Sequence, residues 1–73
     1  MLLTQLELNE KHRAYKLVEQ QLAVVTLSMY GAPEEEKDAI REEMGLLATQ
    51  RDALAEEYIA GGGDPGQLEV DVA

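Results

Sequence analysis

Apolar residues recur along the first part of the chain at Leu8, Tyr15, Val18, Leu22, Val25 and Met29, the later steps being 3, 4, 3 and 4. That spacing puts one stripe on one face of a helix. A second stripe runs through Ile40, Met44, Leu47, Arg51, Leu54 and Tyr58, with steps of 4, 3, 4, 3 and 4. Between the two stands Gly31-Ala32-Pro33, a break too short for anything but a turn between neighbouring antiparallel helices. The pattern predicts an all-α antiparallel two-helix hairpin, with helices over about 4–30 and 33–60, each roughly 40 Å long.

The ends of these helices carry recognisable signals. Thr4-Gln5-Leu6-Glu7 fits a capping box, and Leu3 and Leu8 flank it at the spacing of a hydrophobic staple. Tyr30-Gly31 predicts a glycine-terminated first helix, since glycine takes the left-handed conformation without penalty. Pro33 suits a first helical position, and Glu34, Glu35 and Glu36 suit the positive end of the helix dipole. Gly45 stands inside the second helix, either admitting another backbone closely or serving no packing purpose.

Folding about residues 32–33 sets Val25 against Ile40, Leu22 against Met44, Val18 against Leu47 and Leu8 against Tyr58. It also sets Tyr15 against Arg51, which accounts for the one charge in the second stripe: its stem and guanidinium can lie on the ring. After Ala60 the composition changes. Gly61-Gly62-Gly63-Asp64-Pro65-Gly66 reads as a flexible linker, so residues 61–73 are expected to form a mobile, Gly-rich acidic tail. Removing them is expected to leave helicity intact. The alternation of Leu68, Val70 and Val72 with Glu69 and Asp71 resembles a strand, but one with no partner in this chain.

The seam does not use all the apolar residues. Leu6, Leu17 and Val24 lie about 100–120° around the first helix from it, and Leu27 lies opposite. Leu46, Ala39 and Ala53 form a weaker lateral row on the second helix. A chain of 73 residues holds one small domain whose single core is marginal. The lateral row should therefore bury against a second copy, making a four-helix bundle, against the folded-back N-terminus, or against a host protein.

Charge divides the chain at the turn. Residues 1–30 sum to zero, whereas residues 31–73 carry twelve acids against Lys37, Arg41 and Arg51, for a net charge of −9. An acidic half argues against direct nucleic-acid binding, which needs a basic face. No apolar run reaches the roughly 18–20 residues that span a bilayer, and the N-terminus has no signal-peptide pattern, so a cytoplasmic protein without a membrane partner is expected.

Catalytic chemistry has no foothold. There is no cysteine, and the lone His12, expected to be an exposed helix residue, cannot build a metal cluster. Ser28, Thr4, Thr26 and Thr49 have no base in an obvious catalytic setting. The acidic pairs read as solvated helix faces. The three glycines lack the Lys-Ser/Thr of a phosphate loop, and Asp64 to Asp71 does not follow calcium-loop spacing. The expectation is a non-enzyme with no catalytic residue, metal or cofactor.

Gln5-Leu6-Glu7-Leu8 and Gln67-Leu68-Glu69-Val70 each resemble the start of peptides that dock on bacterial sliding clamps, though both lack the aromatic anchor. In size and acidic, cysteine-free helical character the whole chain resembles phage-encoded host-takeover regulators, including those that bind bacterial RNA polymerase and block or redirect transcription. It also resembles small helical-hairpin secretion chaperones. The resemblance implies a protein partner, in the host cytoplasm if the chain is phage-encoded. It transfers no residues. The residues left over by the seam, Leu6, Leu17 and Val24, together with Glu34, Glu35, Glu42 and Glu43, are the expected partner-binding set. A homodimeric scaffold or chaperone is the alternative reading, and an acidic DNA mimic ranks below it because the acids cluster at the turn and helix ends.

Overall fold

A computed structural model describes residues 2–70. Helix α1 spans Gln5–Ser28 and helix α2 spans Glu34–Ala60, packed antiparallel along their length. The capping box forms as the sequence implies. Thr4 Oγ1 accepts from the Glu7 amide at 3.2 Å, and the Thr4 amide donates to Glu7 Oε1 at 3.1 Å. The Thr4 amide, and the Thr4 hydroxyl donating to the same Oε1 at 2.9 Å, with Lys11 nearby, hold the Glu7 carboxyl below its ordinary pKa of 4.5.

The turn departs from expectation in detail. Helix α1 tightens into a 3₁₀ turn over Met29–Gly31 rather than ending on a left-handed glycine; Gly31 does not have a positive φ. Pro33 is the extended residue just before α2 rather than its first helical position. Gly45 faces open space, with nothing within 4 Å of a Cβ placed there, so within one chain it admits no close approach.

The seam residues are buried or half-buried throughout, with Leu8, Val18 and Tyr58 the most enclosed. Leu8 and Tyr58 meet as the register requires, joined by Leu3, Tyr15 and Ala55. Arg51 reaches the neighbourhood of Tyr15. Its guanidinium, however, turns to Asp52, with Nε and Nη2 donating to Oδ1 at 3.2 and 3.1 Å. The ring contact in this region is His12 on Tyr58, with centroids 5.9 Å apart.

The largest correction concerns residues 61–70. The expected mobile tail folds back instead, and the core closes only with its help. Helix α2 ends in a Schellman motif, in which Gly63 N donates to Tyr58 O at 2.9 Å and Gly62 N to Ile59 O at 3.0 Å. Gly62 supplies the left-handed residue, with φ 101°. Gly61 is buried beneath Leu3, and Gly63 lies against the Tyr58 ring so closely that a Cβ would overlap it. The three glycines thus make a compact stop.

Asp64 then caps a 3₁₀ helix over Pro65–Glu69, accepting from Gly66 N at 3.0 Å. That helix drives Leu68, only 4% exposed, into the cluster of Leu8 and Tyr58. The strand reading fails for Leu68 and Glu69, which are helical; Asp71 and Val72 lie outside the described residues. His12 is buried rather than exposed, and its Nε2–H donates to Val70 O at 2.7 Å. The N-terminus joins the same end through Leu3 N to Gly61 O at 2.9 Å.

The molecule measures 45 × 23 × 16 Å, with a radius of gyration of 14.5 Å. A compact domain of this length would have a radius near about 11 Å. The smallest dimension, 16 Å, is about one and a half helix diameters. The chain is a single layer of two helices, and among the described residues no large side chain is fully buried. Among the described residues, no helix is long and apolar enough to cross a membrane.

Candidate interaction surface

A two-helix layer has two broad faces, and the chain treats them differently. One carries Tyr15, Glu19 and Arg51. The returning segment lies over its open end, as the bond from His12 to Val70 O and the proximity of Glu69 to Tyr15 demonstrate. Burial chiefly, then Glu19 and Glu69, push the Tyr15 phenol above its ordinary pKa, with Arg51 and Lys16 opposing. Nearer the turn this face holds a groove of about 460 Å³ lined by Glu19, Leu22, Ala23, Thr26, Leu27, Tyr30 and Arg51.

The opposite face has no such cover. It holds an open groove of about 490 Å³ between α1 and α2, lined by Leu17, Gln20, Gln21, Val24, Val25, Glu43 and Leu47. Leu6 continues the row of Leu17 toward the open end, being three helical turns before it. Leu46 and Gln50 continue the row of Glu43 on α2 at i+3 and i+7. The apolar members are unusually bare: Leu6 is 65% exposed, Leu17 55%, Val24 67% and Leu46 62%.

The structure therefore brings Leu17, Val24 and Glu43 into one groove and sets Leu6 in line with them. Glu34, Glu35 and Glu42 are exposed but stand outside it. Glu34 accepts from Lys37 Nζ at 3.1 Å, and Asp38 accepts from Arg41 Nη1 at 2.7 Å. Glu35, Glu36, Glu42 and Glu43 have no basic partner among the described residues. The amide lining of the groove, Gln20 and Gln21, was not anticipated. Its only signal in the sequence is position, three or four residues from Leu17 and Val24.

Of the two segments resembling clamp-binding peptides, one lies within the capped start of α1. The other has its leucine, Leu68, sealed in the core. Both are committed to the fold. The four Ser and Thr hydroxyls are committed as well. Thr26 donates to Leu22 O, Ser28 to Val25 O, Thr49 to Gly45 O and Thr4 to Glu7 Oε1.

Compared with protein-family models, curated proteins and solved structures, the chain matches none of them.

Proposed function

We propose that the chain is a non-enzymatic protein-binding regulator that acts by occupying a surface of a larger partner. The partner class we favour is bacterial transcription machinery, inhibited or redirected by a phage protein. One observation carries the reading: helix α2 presents exposed acids near the turn that no base among the described residues neutralises, Glu35 and Glu42 foremost. Such a surface is drawn to basic partners and disfavours others through charge. The engagement of every Ser and Thr hydroxyl in local bonds, and of His12 with Val70, supports a role through contact rather than chemistry.

The test is capture of purified bacterial RNA polymerase by the immobilised chain at low and at high salt. Retention is expected at low salt, with loss at high salt and in a chain carrying Glu35→Gln and Glu42→Gln. Absence of capture at low salt, or capture unchanged in that variant, would overturn the reading. A second reading, a homodimeric helical scaffold or secretion chaperone, is favoured by a different observation, the uncovered groove of Leu17 and Val24.

A further inference from the structure

We propose that the uncovered face, centred on Leu17, Val24 and Leu46, is a self-association surface, and that its occupant is a second copy of this chain. Two hairpin layers would then pack face to face as a four-helix assembly about a twofold axis. The inference uses the apolar face alone and does not depend on the acidic surface proposed for docking a larger partner.

Three observations choose the occupant. The first is architectural. Stable domains bury their apolar faces between at least two layers, and this chain supplies only one. On one side it folds residues 65–70 back as a partial second layer; on the other the described residues place only the short N-terminal stretch at Leu3, beside Lys11 and Glu57 at the open end, and nothing over Leu17 and Val24.

The second is area. The chain exposes 5181 Å² for 8.1 kDa, whereas a compact monomer of that mass exposes about 4,500 Å². The surplus, about 700 Å² per chain, is spread over the whole elongated surface, and covering one face of the layer would remove part of it, where a stable specific interface takes ~800 Å² from each partner.

The third is charge. In a chain of net charge −9, the groove is lined by amides and aliphatics, with Glu43 its one charged member. A basic partner would be met by acids, and here they stand mostly outside the groove. An equally acidic copy needs the opposite, a patch from which like charges are excluded. The other groove, with Glu19 and Arg51 in its lining, lacks that character. Gln20 and Gln21 offer amide donors and acceptors that can pair across a twofold axis.

The salt dependence of the two surfaces should differ in sign. Association of two −9 chains strengthens as salt screens their repulsion, whereas docking of acids on a basic partner weakens. Failure of one proposal is therefore distinguishable from failure of the other.

The experiment is sedimentation equilibrium of the full chain at micromolar to high-micromolar concentration, at two salt concentrations. The expected mass is twice 8.1 kDa, with tighter association at the higher salt. Leu17→Asp and Val24→Asp, at exposed positions, should each weaken the dimer by at least about 30-fold while the far-ultraviolet circular dichroism of the helices persists. Leu27→Asp, in the lining of the other groove, should leave the dimer intact.

Methyl resonances of the unmodified chain give a readout free of variants. Those of Leu17, Val24 and Leu46 should be shielded from a soluble paramagnetic agent, and that of Leu27 should not. A monomeric mass throughout the concentration range would overturn the proposal. So would a dimer that survives Leu17→Asp and Val24→Asp, one that Leu27→Asp dissociates, or Leu17 and Val24 methyls as open to the agent as Leu27.

Discussion

Two glycines show how little residue type says without its surroundings. Gly45 sits in an exposed stretch of α2 with open space where a Cβ would go. Gly45→Ala should therefore stabilise the fold by about 0.5–1 kcal/mol, because the helix loses less backbone freedom on folding. Gly63 rests on the Tyr58 ring, and Gly63→Ala should cost about 1–3 kcal/mol through overpacking. Urea melts of the two variants should move in opposite directions from the parent; stabilisation by Gly63→Ala would refute the packing described around Tyr58, and destabilisation by Gly45→Ala would refute the open space around Gly45. The capping box makes a prediction about acid. Glu7 has a lowered pKa when folded, so its contribution is complete above its unfolded value of about 4.5 and is lost as pH falls through the lowered one. Glu7→Gln should flatten the acid limb of the stability profile. Tyr15 has a raised pKa, so its contribution holds below its ordinary value and is lost as pH rises through the raised one. Tyr15→Phe should remove that alkaline loss.

Among the elements, the 3₁₀ helix of Pro65–Glu69 carries more than its size suggests. It supplies Leu68 to a buried cluster that contains only Leu8 and Tyr58 besides. Leu68→Ala should destabilise the chain by about 2–5 kcal/mol, a large share of the stability available to so small a domain. Truncation after Asp64 should lower the thermal midpoint of circular dichroism at least as much. A truncated chain that melts unchanged would return residues 65–70 to the mobile tail that composition suggests. Helices α1 and α2 were legible because each is long enough to repeat its apolar stripe several times and α1 has a reciprocal cap. The returning segment was not. It is short, rich in glycine and proline, and carries one decisive apolar residue, which no periodicity can single out. His12 was misread for the same reason: it lies beside the seam, and only the segment that arrives from residues 65–70 buries it.

The whole molecule is a single helical layer with one face partly closed by its own chain and the other open. The seam within that layer should be sensitive to charge at Val18, its most enclosed residue near mid-length. Val18→Asp puts an uncompensated carboxylate there and should unfold the hairpin, read as loss of helical circular dichroism. Retained helicity would refute the seam. The partner-binding set expected from sequence divides in the structure: Leu17 and Val24 meet Glu43 in a groove, while Glu34, Glu35 and Glu42 stand apart from it. That division yields two surfaces and two opposite responses to salt, which sedimentation and polymerase capture can separate.

The sequence alone determined what depends on neighbours along the chain. The two helices, the cap at Thr4, the antiparallel turn and the meeting of Leu8 with Tyr58 follow from spacing, because helical geometry converts spacing directly into a shared face. The tertiary structure alone decided what depends on distant parts meeting. It made Gly61, Gly62 and Gly63 a tight stop rather than a linker, sent Leu68 into the core, buried His12 against Val70, and left one face of the layer bare. Those outcomes rest on steric fit and on which groups remain unpaired when two helices and a returning segment converge, and no local pattern carries that information.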